Sequence, residues 1–567
     1  MFYLKGQPFG AIRQNWLLTL LMLSFCFCYG QNSNTYIQRT VESLDQITPV
    51  AFKKVKPQGC AYTIKVANQE HFDAINTEIS KAIKAGKKNI QVRINPGVYQ
   101  FRQEHIRRKN ELTDVSISFV GNNAVITSDK NYRTTGGKGS GWHEMVYADS
   151  IIQVVDEKNK LCLIPYANKM SESEKKNLTK VQITQWFRAR TYDIKRVDQK
   201  GIYFIAPELV WENGYGHKGY NVNFDYLYLG KIPRFRVFDD SKEPDCSAAR
   251  FLTMENCSYH SLTFKGIKFE SADKGNILLH FTSVNAKQIV INRCEFNYIR
   301  GNGVGYFSNT GNVVFDRNSV SNTGGDELFF TNNCQNIRIT NNTFKNCGQN
   351  LGNSFCVKCY EADYYIANNT FWDFGYGAIG VGVWHGFDKK YYSGGIIEHN
   401  EIYFTPNYFA EAWKHMLMDS GAIYTWTQND EVIIRYNYIH DYTGAGDNRG
   451  IFCDDGANNL KLYGNVVLNT PNCYSIDSRM AKDKREGFMN NANNFMAQNV
   501  VDNGVRFQGH SDIQRHVVKG ANIVVKSVSK ETIKDKFENL ELMEEDIFEV
   551  DMNSKTIKRH IKKCTHQ

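Results

Sequence analysis

Several features common in other proteins are missing from this 567-residue sequence, and each absence excludes a class of protein. After the first 30 residues no apolar run approaches the roughly 20 residues that a membrane-spanning helix needs, so we expect no integral membrane segment. Lysine and arginine form no dense patch interleaved with aromatic residues, so nucleic acid is not an expected partner. The CxxC motif from Cys356 to Cys359 has no second copy to complete a zinc site, so we predict no metal centre.

Residues 1–30 have the pattern of a signal peptide. A basic start precedes an apolar segment from Trp16 to Phe27, whose length is typical of signal peptides and too short to span a bilayer. The stretch from Cys28 to Gly30 suits cleavage before Gln31. We therefore expect a protein exported to the periplasm or the extracellular space. A lipoprotein anchored through Cys26 or Cys28 is the alternative, but phenylalanines stand where a lipobox has small residues.

Net charge and cysteine content add only weak evidence about the partners and the compartment of this protein. The formal net charge of +9 is mild for this length, and it favours acidic polysaccharides as partners only slightly. The chain has 14 cysteines, and export would permit disulfides. Because many of them lie at strand positions, we predict buried free thiols that pack as small apolar residues.

A short pattern recurs through the central half of the chain: apolar residues, an asparagine, one spacer and another apolar residue. The repeated position recurs every 24 to 37 residues, at Cys294, Asn318, Asn342, Asn369, Asn400, Asn437, Asn465 and Asn499. Apolar residues alternate with period two in short runs, which indicates strands and argues against a helical solenoid. The pattern predicts a parallel β-helix in which buried asparagine amides hydrogen-bond from turn to turn, about 4.8 Å apart. Asparagine also tolerates the left-handed bend of such turns.

Interruptions of this pattern predict the domain organisation. We expect an N-terminal cap and first turns over 31–134, an inserted β-rich subdomain over 135–248, the catalytic core over 249–512, and a C-terminal cap and tail over 513–567. A capping helix before Ile94-Asn95-Pro96-Gly97 would cover the open end of the core.

Two neighbouring turns carry acids at matched positions, in DSGAIYTW from Asp419 and in DNRGIFCDDG from Asp447. Asn437 and Asn465 each lie 14 residues after an isoleucine, which are Ile423 and Ile451. This register places Thr425 beside Cys453, Trp426 beside Asp454 and Asp419 beside Asp447. If the isoleucines point into the core, Asp454 points outward.

The outward column through Asp454 is then a candidate sugar-binding face. It would contain Thr331, Lys358, Trp426 and Asp454, joined by Gly382 and Asp477 if longer turns keep the same register. Two acids on adjacent turns would lie about 5 Å apart, and their repulsion would keep one protonated. Asp454 favours a functional role because strand interiors disfavour aspartate, whereas Asp447 suits a structural turn; Asp419 and Asp455 fit either role.

Other polar residues border this face. Asp326, Glu327 and Glu361 would lie on the same side several turns away, either as substrate-binding residues or as solvated side chains. His415 and His440 are more typical of structural histidines.

These motifs resemble exported right-handed parallel β-helix glycoside hydrolases of Bacteroidetes, above all glycoside hydrolase family 141 and more distantly families 120 and 110. The resemblance rests on DSGAIYTW, GIFCDDG and the asparagine turns, and it extends from INPGVYQF to about residue 510. It implies a hydrolase with two catalytic carboxylates, in which the motif positions correspond to Asp419, Asp454 and Asp455. Because Asp419 lies several residues along the strand from Asp454, Asp477 is the alternative partner.

We therefore expect a glycoside hydrolase that acts on a plant, algal or host polysaccharide or its oligosaccharides without a cofactor. Asp454 or Asp455 would protonate the leaving oxygen, and Asp419 or Asp477 would act as nucleophile or base. Trp426, Trp384 and Tyr424 would hold the sugar, and Lys358 would favour an acidic substituent.

Two alternatives remain open from the sequence. A polysaccharide lyase on the same scaffold would use Lys358 as base, with Asp326 and Glu327 as calcium ligands. A non-catalytic glycan-binding protein would use the same face for binding alone.

Overall fold

The computed structural model describes residues 38–49, 51, 53–102, 104–128, 146–147, 153–156, 158–165, 171–185, 188–206, 234–238, 250–272, 277–299, 303–348, 354–383, 393–405, 420–426, 431–443, 448–454, 459–477, 494–502, 505–508, 517–519, 523–524, 546–551 and 556–561. Among these residues, no helix is long and apolar enough to cross a membrane.

The chain winds into a parallel β-helix, which confirms the fold class predicted from the repeat. Each turn contributes a strand to each of three faces, named A, B and C here in the order in which the chain visits them. Face A is a sheet of 11 parallel strands, and faces B and C together form a sheet of 23 strands. The apolar side chains on the inner sides of all three faces form one continuous core.

The strands of face A are Glu104–Lys109, Arg250–Tyr259, Ile277–Ala286, Gly303–Ser308, Leu328–Thr331, Phe355–Tyr360, Gly377–Gly382, Gly421–Trp426, Arg449–Asp454, Asn472–Asp477 and Val505–Gln508. Two long strands, Ser116–Thr127 and Ser261–Ala272, run from face B into face C. The other strands of face B are Tyr62–Val66, Asn89–Ile94, Ile289–Asn292, Val313–Asp316, Cys334–Thr340, Ala362–Ala367, Gly394–Glu398, Val432–Arg435, Leu460–Tyr463, Asn494–Ala497 and Val517–Lys519. Those of face C are Gly97–Gln100, Glu295–Ile299, Ser319–Ser321, Thr343–Lys345, Thr370–Trp372, Glu401–Tyr403, Tyr438–His440, Val466–Leu468, Val500–Val501 and Ile523–Val524.

An antiparallel sheet lies in the segment that interrupts the repeat. Its strands are Val146–Tyr147, Gln153–Asp156, Leu161–Ile164, Lys180–Gln185, Arg188–Asp198, Gly201–Ile205 and Arg234–Phe238, with one helix at Glu172–Asn177. Near the end of the chain, Asp546–Asp551 and Thr556–Ile561 pair as an antiparallel hairpin. The exact limits of the inserted and C-terminal segments stay predictions.

Two helices, Gln69–Asp73 and Ile75–Lys84, lie at the N-terminal end of the β-helix. The Asn68 side chain accepts a hydrogen bond from the His71 amide at 2.9 Å and so caps the first helix. The helices bury Phe72, Ile75 and Ile79, which join the main core. They thereby shield from water the apolar side chains of the first turn.

Residues 38–47 contact turns that lie almost 400 positions later in the chain. Val41 and Leu44 join an apolar cluster on the outer side of face B that includes Ile433. The Arg435 guanidinium donates hydrogen bonds to the carbonyl oxygens of Leu44 at 2.9 Å and of Ile47 at 3.1 Å. This N-terminal segment is therefore fastened to the late turns of the β-helix.

Buried asparagines form a ladder at the corner between faces B and C, as predicted. At each step, the backbone amide and the side-chain amide of one asparagine both donate to Oδ1 of the asparagine in the next turn. Between Asn400 and Asn437, for example, these distances are 3.1 and 3.0 Å. The same amide nitrogen of Asn400 also donates to the carbonyl oxygen of Ile366 at 3.0 Å. The ladder therefore satisfies backbone groups that would otherwise be buried without partners.

The left-handed bend of this corner falls on the residue before each asparagine, not on the ladder asparagine itself. His399 has φ 55° and Tyr436 has φ 54°, whereas the asparagines that follow them are absent from the positive-φ residues of the described chain. The sequence-based expectation that the ladder residue takes the bend is therefore wrong. Asparagine is needed at the corner for its amide and not for its backbone freedom.

The described cysteines agree with the predicted buried thiols. Nine of them are buried and free, and only Cys60 is exposed. Cys294 occupies the first position of the asparagine series, and its backbone amide donates to Oδ1 of Asn318 at 2.9 Å. Burial raises the pKa of the Cys294 thiol to about 12, so this thiol stays protonated and packs as a small apolar group.

We predict that Asn437→Ala lowers the free energy of unfolding by roughly 2–4 kcal/mol, because several buried backbone and side-chain groups lose their partners. Asn341→Gly is the matched control, since Asn341 is exposed, has φ 56° and lies directly before a ladder residue. We expect the control to change the free energy of unfolding by about 1 kcal/mol or less. Equal effects of the two substitutions in urea unfolding would rule out the ladder as the main stabilising element of this corner.

His105, at the N-terminal end of the β-helix, makes the stability of the folded protein depend on pH. Its ring stacks on Phe72 with centroids 4.2 Å apart, and burial lowers its pKa to about 4. Because the unfolded chain binds a proton near pH 6.5 and the folded chain does not, the stability present above pH 6.5 is lost as the pH falls toward 4. As the pH falls toward 4, we predict that the free energy of unfolding decreases by roughly 1–3 kcal/mol less in His105→Phe than in the wild-type protein. The measurement is the free energy of unfolding as a function of pH. Parallel pH curves for the two proteins would contradict the prediction.

Candidate active site on face A

The strand pairing of face A confirms the register predicted from the asparagines. Ile423 pairs with Ile451, Thr425 with Cys453, and Trp426 with Asp454. Gly382 pairs with Trp426 and so joins the same column, as the sequence suggested. In the following turn Cys453 pairs with Ile476, which places Asp477 next to Asp454.

The position predicted for Lys358 is wrong by two residues. Lys358 pairs with Gly380, which pairs with Tyr424, and Tyr360 occupies the place in the Asp454 column that was assigned to Lys358. The reason lies in the corner between faces A and B. A single residue, Glu361, connects Tyr360 to face B, whereas residues 427–431 follow Trp426 before face B resumes. Counting backwards from the asparagine therefore gives different registers in different turns.

Asp454 ends its strand on the outer side of face A, but its side chain is only 3% exposed. The Tyr424 hydroxyl donates a short hydrogen bond to Oδ2 of Asp454. The ring of Tyr424 packs edge-to-face on Phe452 at 5.0 Å, which fixes the direction of this hydroxyl. Trp426 precedes Asp454 in the column and is partly exposed. A carboxylate in this setting is shielded from water and held by a neutral donor.

A largely buried ion pair lies on the same outer side, three to four turns before Asp454. Nζ of Lys358 is 2.6 Å from Oδ2 of Asp326, and the other carboxylate oxygen accepts the Phe355 amide at 2.9 Å. The ammonium also lies over the ring of Phe329 at 5.3 Å. The charge of Lys358 is therefore balanced inside the protein, which reduces the attraction for acidic substrates that the sequence suggested.

Tyr360 connects the ion pair to Asp454. Its ring is buried, and burial raises its pKa strongly, with further upward contributions from the negative charges of Asp326 and Asp454. Its ring centroid lies 6.4 Å from that of Trp426. The phenol is therefore neutral at ordinary pH. The sequence analysis did not foresee the ion pair of Asp326 or the place of Tyr360 in the Asp454 column.

Glycines make room for these aromatic rings. A Cβ on Gly380 would meet the Phe355 ring at 2.9 Å, and one on Gly382 would meet the Trp426 carbonyl oxygen at 2.1 Å. Gly380 and Gly382 both lie at outer positions of the strand Gly377–Gly382. Aromatic rings from the neighbouring turns can therefore cover this strand. Phe355 and Tyr424 approach across this strand to a centroid distance of 5.7 Å. Alternating glycines in a strand between aromatic strands were the sequence signal for this arrangement.

Glu327 and Glu361 do not line the outer side of face A, because both are 0% exposed. Oε1 of Glu327 accepts the Gly348 amide at 3.1 Å, and burial raises its pKa well above the ordinary value. Oε2 of Glu361 accepts the Asn332 amide at 3.3 Å. Both side chains belong to corners of the β-helix, where they accept backbone amides and do not face a substrate on face A.

Several predicted site residues cannot be placed. Asp419, Asp455 and Trp384 lie outside the described residues, as do Asp447 and His415. Asp477 is described only as a strand position. Their predicted roles stay predictions.

His440 lies on face C, away from the Asp454 column. Its Nε2 is 3.1 Å from Oε1 of Glu401 and its Nδ1 is 2.9 Å from Oδ2 of Asp441. These carboxylates raise the pKa of His440 against the opposing effect of burial. Its contacts within face C suit the structural role predicted for it. No group of three or more His, Cys, Asp or Glu side chains in the described parts of the chain is placed to hold one metal ion.

Comparisons with known proteins show similarity of fold only. No protein-family model matches this chain, and no curated protein matches it. A solved structure described as "Glycoside hydrolase" is similar at 9% identity with a TM-score of 0.41, over 83% of this chain and 99% of that chain. The Gp54 tailspike of Acinetobacter baumannii bacteriophage AP22, in complex with A. baumannii capsular saccharide, is similar at 10% identity with a TM-score of 0.22, over 81% and 73%. These identities and TM-scores transfer no function, and membership of glycoside hydrolase family 141 stays a prediction.

The bond between Tyr424 and Asp454 can be tested by a double-mutant cycle. For Tyr424→Phe with Asp454→Asn we expect a coupling of about 1–2 kcal/mol at pH 7, because a hydrogen bond to a charged acceptor is stronger than one to an amide. The coupling should decrease as acid protonates the carboxylate. Tyr306→Phe with Asp454→Asn is the control pair, expected to be additive within about 0.5 kcal/mol. A coupling that is absent at pH 7 in urea unfolding would disprove the assigned bond.

Proposed function

We propose that this protein is an exported glycoside hydrolase whose active site surrounds Asp454 on the outer side of face A. The observation that carries the proposal is a shielded carboxylate at the end of a strand, fixed by the Tyr424 hydroxyl and adjacent to a partly exposed Trp426. Strand interiors disfavour aspartate, and burial of a carboxylate costs free energy, so fold stability alone does not account for this residue. Aromatic rings beside such a carboxylate provide apolar surface for a sugar ring.

The hydrogen bond from Tyr424 favours the role of Asp454 as the ionised carboxylate of the pair. A donor that points at the charged form stabilises that form over the protonated acid. We therefore assign Asp454 as nucleophile or base, in place of the proton-donating role expected from the sequence. A second acid, drawn from Asp419, Asp455 or Asp477, would protonate the leaving oxygen while the glycosidic C–O bond breaks. With Asp454 as base, it would take a proton from the water whose oxygen bonds to the anomeric carbon. With Asp454 as nucleophile, its carboxylate would first bond to that carbon, and water would then displace it and give its proton to the second acid.

The arrangement of Lys358 argues against a lyase. Proton abstraction next to a uronate needs a free basic group, and the substrate carboxylate needs a nearby positive charge. Lys358 already donates to Asp326 at 2.6 Å and lies among aromatic rings. Hydrolysis by paired carboxylates requires no change in these contacts.

We predict that the mature protein releases reducing ends from at least one plant or algal polysaccharide without a product that absorbs ultraviolet light. Asp454→Asn should lower kcat by about 100-fold or more, because an amide replaces the ionised carboxylate in the transition state. Asp316→Asn is the control, since Asp316 lies on the outer side of face B and should leave turnover within about 2-fold of wild type.

Three outcomes would overturn the proposal. A folded Asp454→Asn variant with wild-type turnover would remove Asp454 from the active site. Reducing ends accompanied by ultraviolet absorbance would mean elimination and would make the protein a lyase. Tight glycan binding without any product would instead favour the non-catalytic alternative.

A further inference from the structure

A chain of aromatic side chains runs along face A toward Asp454. The ring centroids are 5.1 Å apart from His280 to Tyr306, 5.6 Å from Tyr306 to Phe329 and 6.1 Å from Phe329 to Tyr360. The last step joins Tyr360 to Trp426 at 6.4 Å. Each contact is edge-to-face, with interplanar angles from 69° to 88°. We call these five side chains the aromatic track.

The track follows the axis of the β-helix. His280 pairs with Tyr306, and Tyr306 pairs with Phe329, so three successive turns supply rings in one column. Tyr360 and Trp426 lie two positions further along their strands, in the column of Asp454, with Gly382 between them. Five turns separate the strands of His280 and Trp426, a distance of about 24 Å at roughly 4.8 Å per turn. His280, Tyr306 and Phe329 are partly exposed on the outer side of the sheet. This length matches several consecutive sugar residues and exceeds what a monosaccharide can contact.

A column of hydroxyl groups runs beside the rings. Thr282 pairs with Ser308, and Ser308 pairs with Thr331, two positions further along the same strands. Thr282 Oγ1 lies 3.0 Å from Nε2 of His280, and Ser308 Oγ accepts Asn332 Nδ2 at 2.7 Å. Thr282 is partly exposed, whereas Ser308 and Thr331 are each 6% exposed. The partly exposed rings and the Thr282 hydroxyl group match the two chemical surfaces of a sugar chain, which are the apolar ring faces and the hydroxyl edges.

The track carries little net charge. Tyr306, Phe329 and the hydroxyl column are uncharged, and Lys358, which pairs with Phe329 in the next turn, forms an ion pair with Asp326. At the far end, Arg250 lies 2.7 Å from Nδ1 of His280, and burial together with this cation lowers the pKa of His280. The imidazole is therefore neutral near pH 7. Between Tyr306 and Trp426 such a surface offers no unpaired counter-charge to a uronate or a sulfate ester, and Arg250 is a cation at the end farthest from Asp454.

We propose that the aromatic track binds an uncharged polysaccharide chain that lies along the β-helix axis and leads to Asp454. This inference rests on the proposed function and extends it, because it names a neutral polymer as the substrate and predicts poor turnover of mono- and disaccharides. Side chains at His280, Tyr306 and Phe329 then determine specificity and lie several sugar residues from the bond that is cleaved.

Binding can be separated from catalysis with full-length Asp454→Asn protein. We would measure its retardation in native gels that contain a neutral polymer, xyloglucan, galactomannan or arabinoxylan, or an acidic one, alginate or pectin. We expect retardation by at least one neutral polymer and a loss of affinity of about 5-fold or more when Tyr306→Ala is added, because one ring contact is removed. Tyr306→Leu keeps the apolar volume without the aromatic ring and should lose affinity as well.

Tyr403→Ala is the matched control for the track. Tyr403 is a partly buried outer ring on face C, stacked on Trp372 at 6.1 Å, so it resembles Tyr306 in its surroundings but lies on a different face. We expect it to bind the neutral polymers like the parent protein. Melting temperatures of all variants would show that each is folded at the temperature of the gels.

The outcomes distinguish this inference from the proposed function. Unchanged retardation in both Tyr306 variants, or retardation by acidic polymers alone, would overturn the track even if wild-type protein hydrolyses a glycan. Loss of self-association in Tyr306→Ala, without any effect on polymers, would show that the track binds a second copy of the chain. Track-dependent binding by a wild-type protein that releases no reducing ends would overturn the hydrolase and leave the binding surface in place.

Discussion

The ladder of buried asparagine amides is the constraint on which the rest of the molecule depends. Each rung accepts a backbone amide and a side-chain amide from the previous turn, as between Asn437 and Asn465 at 3.1 and 3.0 Å. Because these groups are shielded from water, an unmade bond is costly, and every turn must place its corner at the same height and angle. The ladder thus sets the alignment of faces B and C. The number of residues in the corner between faces A and B then sets the alignment of face A, and the candidate site lies on face A.

Much of the fold and part of the site follow from the sequence because both obey this repeat. The pairing of Trp426 with Asp454 is correct since equal numbers of residues separate each from its ladder asparagine. The predicted position of Lys358 is wrong because Glu361 is the single residue between face A and face B in its turn. The sequence repeat does not indicate that this corner is short. The pairing of Lys358 with Asp326 and the hydrogen bond from Tyr424 to Asp454 are contacts between turns, set by side-chain rotamers and burial. Periodicity carries no information on such contacts.

Burial gives the charged groups of face A their chemical character. Asp454 accepts a hydrogen bond from the Tyr424 hydroxyl and is shielded from water by its aromatic neighbours. Lys358 and Asp326 neutralise each other, which leaves the surface between His280 and Trp426 suited to uncharged ligands. The bulk charge of +9 therefore gives no guide to the substrate, because the residues that matter are paired locally. A protein with a small positive net charge can therefore have a surface that is locally neutral.

The fastening of residues 38–47 to Arg435 has a consequence for the order of assembly. This segment is synthesised early, yet the groups that hold it lie near position 435. The first turns can stack as they emerge, but the segment has no docking surface until Ile433 and Tyr463 are in place. It therefore docks only after most of the turns of the solenoid have formed. A truncated or stalled chain would keep this segment loose and open to proteases, which gives a quality-control system a local signal of incomplete synthesis.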